Sequence, residues 1–243
     1  MAFRALFAAL WLGLAGMAAA EITGELIVTT NYVWRGVSLS DDAPSVLGGF
    51  AYREAADSGL HASAHVAGVQ VEEEDDDGNL ETRDEQQLLA HLGYRMPVDD
   101  WRLDVGAVVY EFLRGDHFDP RENRLHPGTS NKQDFVEAYV GIGKAGAEFR
   151  YYYSDDYFGS GEVSRYYSID YRHPLGDELS LLLHLGMLNS QAIDDHIYWL
   201  GDSAIGIVKE PFSFVITNLD DNEDGMQSRN PRFVVSWRHQ ISL

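Results

Sequence analysis

The feature that most restricts this chain is a two-residue periodicity. It recurs in segments of about ten residues along nearly the whole length. Leu60, Ala62, Ala64 and Val66 alternate with His61, Ser63 and His65. Val136, Ala138, Val140 and Ile142 alternate with Phe135, Glu137, Tyr139 and Gly141, and Leu179, Leu181, Leu183, Leu185 and Met187 with Ser180, His184 and Gly186. Successive side chains of an extended chain point to opposite sides, so each segment is a strand with one greasy face and one polar or ionised face. The pattern predicts strands over 25–37, 45–54, 58–70, 86–96, 101–112, 133–143, 146–154, 164–173, 178–188, 196–208, 212–218 and 231–242. That is an all-β chain with an even strand number, as in single-chain bacterial barrels.

The connections carry a second regularity. Links at Glu54–Ser58, Pro97–Asp100, Lys144–Ala145, Pro174–Asp177 and Lys209–Pro211 are short. Those at Ser38–Pro44, Val71–Glu85, Leu113–Lys132, Asp155–Val163, Leu188–Asp195 and Leu219–Asn230 are longer, and the two kinds alternate. Outer-membrane barrels pair short periplasmic turns with long external loops, which places both termini in the periplasm. The expectation is therefore a transmembrane, antiparallel, up-and-down β-barrel of about twelve strands. A soluble sandwich would hide the same greasy face in its core, and single strands do not separate the two. Tyr151, Tyr153, Tyr167 and Tyr171, at segment ends on the apolar face, favour the membrane, because a barrel wears aromatic girdles at both interfaces.

The first twenty residues point the same way. Arg4 precedes an apolar run from Ala5 to Met17, too short for a comfortable span, and Ala18-Ala19-Ala20 supplies small residues before Glu21. Residues 1–20 read as a cleaved signal peptide and 21–243 as the barrel. No later stretch approaches the apolar length of a membrane helix. Cysteine is absent, so disulfides do not staple this exported chain, whereas a closed barrel leaves no strand edge unpaired. The formal charge of −21 argues against nucleic acid as a partner and suits a cell-surface protein whose loops meet cations.

Asn31-Tyr-Val-Trp-Arg35-Gly-Val-Ser38, followed by Pro44-Ser-Val-Leu-Gly48-Gly-Phe, resembles the N-terminal signature of the TorF family of porins. That signature reads Ser-Asp-Tyr, an aromatic, Arg-Gly-Ile/Val-Ser, then Pro-x-x-x-Gly-Gly. Further matches follow in order at Ser58-Gly-Leu, Leu92-Gly-Tyr94, Asp104-Val-Gly106, Glu137-Ala-Tyr139, Tyr152-Tyr153-Ser154-Asp155 and His184-Leu-Gly186. The resemblance implies an outer-membrane location and a porin-like role, and brings no catalytic residues. The chain departs from the pattern at the acidic insertion Glu72–Asp77 and at its terminal Gln240-Ile-Ser-Leu243.

Parity places Arg35, His61, His65, His91, Arg95, Arg102, Asp104, Glu137, Glu148, Arg150, Asp170, Arg172, His184, Asp202, Arg232 and Arg238 on the inward face as candidate pore-lining residues. Mixed charges around a lumen select which solutes cross. The same groups, paired across strands, would instead close it, and twelve strands fall between filled small barrels and open porins. The expectation is a narrow charged porin passing small hydrophilic solutes, with no enzymatic activity and no cofactor. Two other functions stay open: a barrel with a closed lumen for adhesion or structure, and an outer-membrane lipid hydrolase. The second draws on His61-x-Ser63, although such a hydrolase also needs an orienting acid and an oxyanion site, and the pair points inward, away from lipid. Asp220-x-Asn222-x-Asp224-Gly225 matches half of a calcium loop, but its twelfth position is Pro231 where a bidentate Glu belongs. Asp220, Asn222 and Asp224 are thus a weak metal candidate, and the acidic connections are candidates for holding divalent cations. Lipid of the outer membrane and small solutes are the remaining expected partners.

Overall fold

The computed structural model describes residues 20–54, 58–74, 80–113, 117–119, 124–126, 134–190, 192, 198–221 and 231–243. The expected signal peptide lies outside them, apart from Ala20. The strands are β1 (Glu21–Thr29), β2 (Val33–Trp34), β3 (Val37–Ser38), β4 (Ser45–Arg53), β5 (Gly59–Glu74), β6 (Leu80–Val98), β7 (Trp101–Phe112), β8 (His117–Asp119), β9 (Arg124–His126), β10 (Phe135–Lys144), β11 (Ala147–Ser154), β12 (Ser164–Pro174), β13 (Ser180–Ser190), β14 (Tyr198–Lys209), β15 (Phe212–Asp221) and β16 (Arg232–Ser242). Among the described residues no helix is long and apolar enough to cross a membrane.

Twelve of these strands form one closed antiparallel barrel in the order β1-β16-β15-β14-β13-β12-β11-β10-β7-β6-β5-β4. Each pairs with its neighbours in the chain, and β1 closes the ring against β16 from Thr23↔Ser242 to Thr29↔Ser236. Closure satisfies every wall strand on both sides, which a hydrocarbon environment demands. The two-residue link Ala145-Gly146 has φ of +51° and +84°, the both-positive turn that matches strand twist in a tight hairpin.

The greasy faces point outward all round. Phe50, Leu185 and Phe233 are 61, 61 and 63 % exposed, and Val46, Val136, Ile169, Ile205 and Ile216 continue the belt on other strands. A soluble protein does not leave such a continuous apolar girth in water, whereas a lipid-facing wall requires it. Aromatic rings mark both rims. Tyr151, Tyr153, Tyr167 and Trp199 lie toward the end with long connections, where Tyr167 stacks on Trp199 at 6.4 Å. Trp101, Tyr171, Phe212 and Trp237 lie toward the end with short turns.

Three predicted elements differ from the observed ones. The first strand, expected over 25–37, runs from Glu21 to Thr29 only, after which the chain leaves the wall. Alternation persists through Tyr32 and Trp34 because β2 and β3 form a separate two-stranded hairpin, and periodicity cannot say which sheet a strand joins. Asn31 fixes the departure: Ser38 and Ser40 donate to its Oδ1 at 2.7 and 3.1 Å, and its Nδ2 donates to Asp42 at 2.6 Å. The second difference is the Val71–Glu85 link, where β5 and β6 continue to pair from Val71↔Arg83 to Glu74↔Leu80. The run is dominated by Glu and Asp and reads as a loop by composition, yet its backbone pairs as a hairpin. The third is a short β8–β9 hairpin inside the Leu113–Lys132 link.

Among the described residues the main hydrophobic cluster lies inside the barrel, toward the long-connection end. Val37 and Leu39 of the inserted hairpin pack with Phe112, Phe135, Tyr157, Phe158, Leu188, Leu200 and Leu219. Rings interlock there: Tyr110 stacks on Phe135 at 4.3 Å, and Trp34 meets Phe158 edge-on at 6.0 Å.

Candidate functional site: a charged lumen stopped at one end

The alternation that sends greasy residues to the lipid sends the ionised ones inward, where three groups of them meet. At the inner tip of the β2–β3 hairpin, Arg35 forms two bonds with Glu137 of β10, at 2.9 and 2.6 Å. Tyr110 also donates to Glu137, at 3.0 Å. The guanidinium carbon lies 3.8 Å from the Tyr166 ring centre, 4.5 Å from Trp34 and 5.2 Å from Tyr152. Both partners are buried, with Glu137 at 0 % and the Arg35 side chain at 8 % exposure. Burial works against the Arg35 charge, and the adjacent Glu137 carboxylate more than offsets it, so the guanidinium stays ionised. Burial also pushes up the hydroxyls of Tyr32 and Tyr157, which remain protonated within the same packing.

The second group centres on Asp104 of β7. It receives His61 at 2.9 Å, Tyr139 at 2.8 Å and Arg95 Nε at 3.1 Å, with Arg150 at 3.6 Å. His91 stacks on His61 at 4.9 Å and bonds to the Tyr139 hydroxyl at 2.9 Å. Beside them Glu148 holds Arg102 at 2.9 Å and Arg150 at 2.6 Å. The third group is His184, bridged between Asp170 and Asp202 at 2.7 Å on each ring nitrogen, with Tyr166 donating to Asp202 at 3.0 Å. Smaller pairs complete the lining. His65 and Arg238 share Glu25 at 3.0 and 3.4 Å, Arg172 reaches Glu210 at 4.0 Å near the short turns, and Arg232 clasps Asp42.

All the inward candidates named from parity therefore sit on the interior side, within a web of cross-strand pairs. Sequence reasoning missed their partners Glu25, Asp42, Tyr110, Tyr152 and Tyr166. Tyr110, Tyr152 and Tyr166 shared the parity of assigned residues, a signal that was present. Asp42 pairs with Arg232 across 190 positions, a distance at which sequence spacing carries nothing. Ser63 faces the lumen, and His61, its supposed partner, is bound to Asp104 instead. Among the described residues no group of acids and histidines is arranged to hold a metal ion. Asp220 lies in β15 opposite Gly201 rather than at the start of a loop, while Asn222 and Asp224 fall outside the described residues.

From the short-turn mouth inward run three adjoining cavities of about 420, 680 and 760 Å³, all touching His184. They end against the hairpin. Trp34, Arg35, Val37, Tyr157 and Leu200 enclose a void of about 10 Å³, room for one water at most. Among the described residues the lumen is thus a deep cup, open toward the short turns and stopped at the other end by aromatic packing.

Residues 15–238 match Gcw_chp, a family of bacterial proteins of unknown function. The chain belongs to the Gcw_chp family. No curated protein matches this Gcw_chp member. Among solved structures it is similar to an outer-membrane channel of Pseudomonas putida F1, at 14 % identity and a TM-score of 0.45, covering 94 % of this chain and 98 % of the other. It is likewise similar to the NanC porin, at 14 % identity and a TM-score of 0.42, covering 91 % and 98 %. The third is LpxR of Salmonella typhimurium, at 8 % identity and a TM-score of 0.41, covering 90 % and 99 %. A closed barrel with an apolar girth and two aromatic rims, in a bacterial family, is an outer-membrane protein.

Proposed function

We propose that this Gcw_chp member is a passive channel of the porin type for small hydrophilic solutes, stopped in the described conformation by its Arg35-tipped hairpin. The observation that carries the reading is the way the lumen is closed. A charged, cavity-bearing interior ends at a segment that is not part of the wall ladder and is fastened to it through Arg35–Glu137 and Arg232–Asp42. A barrel whose interior had only to be filled would not keep hundreds of cubic ångströms open and charged below such a segment. The resemblance of Asn31–Ser38 to the TorF porin signature supports the same role, because that block is the hairpin itself. No catalysis is part of this reading, because Ser63 is turned from the lipid such a hydrolase would act on.

Planar-bilayer conductance of the refolded protein tests it. Wild type should give little or no current, and Arg35→Ala/Glu137→Ala, which releases the tip without stranding a buried charge, should give stepwise openings. Silence from both proteins overturns the channel and favours the closed-lumen barrel that the aromatic packing also suits.

A further inference from the structure

One stretch of the lumen wall gathers three arginines in a chain that is strongly acidic as a whole. Arg95 of β6, Arg102 of β7 and Arg150 of β11 project from a continuous part of the wall, with β10 between the last two. Beneath them lie two carboxylates, Asp104 and Glu148. Asp104 is 1 % exposed and Glu148 18 %, whereas the three guanidinium side chains are 21, 34 and 25 % exposed. Three cations stand over two sheltered anions, so a solute in the lumen meets guanidinium.

The wall is shaped for this layer. Gly143 lies in register with both Arg102 and Glu148, and Gly141 with both Asp104 and Arg150. A Cβ on Gly143 would stand 3.2 Å from Arg102 Nη2, and one on Gly141 3.0 Å from Arg150 Cγ. These two positions carry no side chain, so the arginines lie flat across β10. The nearest further charges are paired as well: His61 bonds to Asp104, Lys144 at the rim reaches Asp100, and Asp170 on β12, in register with Glu148 and half exposed to the same two cavities, is held by His184.

We propose that Arg95, Arg102 and Arg150 form a binding site for a small oxyanion, of the phosphate or carboxylate class, at the junction of the two larger cavities. Planar guanidinium forks match paired oxygens, and partial removal from water strengthens the attraction relative to a surface arginine. Arg95 and Arg150 line the cavity of about 760 Å³ and Arg102 that of about 680 Å³, ample for an anion that keeps part of its water. The site deepens the channel reading by naming a solute class, and it runs against the chain's overall charge of −21, which taken alone favours cations.

Calorimetric titration of the refolded, detergent-solubilised protein with inorganic phosphate at low ionic strength tests it. Wild type should bind saturably and more weakly as salt is added. Arg102→Gln should weaken binding about tenfold or more, the loss expected for one hydrogen bond to a charged group. Glu148→Gln removes one of the two sheltered anions and should tighten it several-fold. Opposite signs at two touching residues cannot come from general loosening of the barrel. Absence of saturable binding, or both variants moving affinity the same way, overturns the site. Stepwise current from Arg35→Ala/Glu137→Ala without phosphate binding to wild type overturns the site and leaves the channel; phosphate binding with a silent Arg35→Ala/Glu137→Ala does the reverse.

Discussion

Arg35 and Gly36 occupy the tip of the inserted hairpin with φ of +50° and +77°, a backbone region that suits glycine and costs other residues about 1–2 kcal/mol. The strain at Arg35 persists because its side chain is fastened by Glu137 and three aromatic rings. Gly36 has a further reason to lack a side chain, since a Cβ would come 2.9 Å from Asp202 Cβ and 3.1 Å from the Asn218 carbonyl. Gly36→Ala should therefore lower the resistance of the folded barrel to denaturant by at least about 1 kcal/mol. Arg35→Met should do worse, by about 3–5 kcal/mol, because it strands the buried Glu137 carboxylate. Adding Glu137→Leu should recover most of that loss. Equilibrium urea unfolding in detergent, followed by tryptophan fluorescence, measures all three, and an unrecovered double variant would contradict the pairing.

At the scale of elements, the wall was readable because a lipid-facing strand obeys one rule without exception: every second side chain meets hydrocarbon. That rule fixed the faces of β5, β10 and β13 and brought the inward charges to the lumen side. It was silent about β2 and β3, whose alternation serves a packing inside the barrel, and about the polar extension of β5 and β6. Pair identities were also beyond it, because Arg35–Glu137 joins positions 102 residues apart. The faces can be tested directly. Leu183 is on the outer side of β13, whereas Ser180 shares the parity of His184. Leu183→Arg should cost roughly 2–4 kcal/mol of barrel stability and Ser180→Arg much less. Equal costs for the two variants would refute the assigned faces.

The whole molecule joins a membrane wall to an interior that differs at its two ends, and the lack of cysteine makes this directly testable. Ser213 faces the lumen near the short turns, below the hairpin. In intact cells, Ser213→Cys should resist a membrane-impermeant maleimide added outside and react readily once the outer membrane is permeabilised. In the Arg35→Ala/Glu137→Ala background it should react without permeabilisation. Equal labelling of wild-type and released backgrounds from outside would mean that the hairpin does not bar the way.

Confining the aromatic packing to one end has a consequence for how this barrel tolerates change. Its upper storey behaves like the interior of a water-soluble domain, where a lost methylene is felt, and its lower storey like a lined vessel, where the loss of a methylene matters less than the loss of a charge. Substitutions near the mouth can therefore change its charge without loosening the stopper, and the stopper can be repacked without altering the mouth.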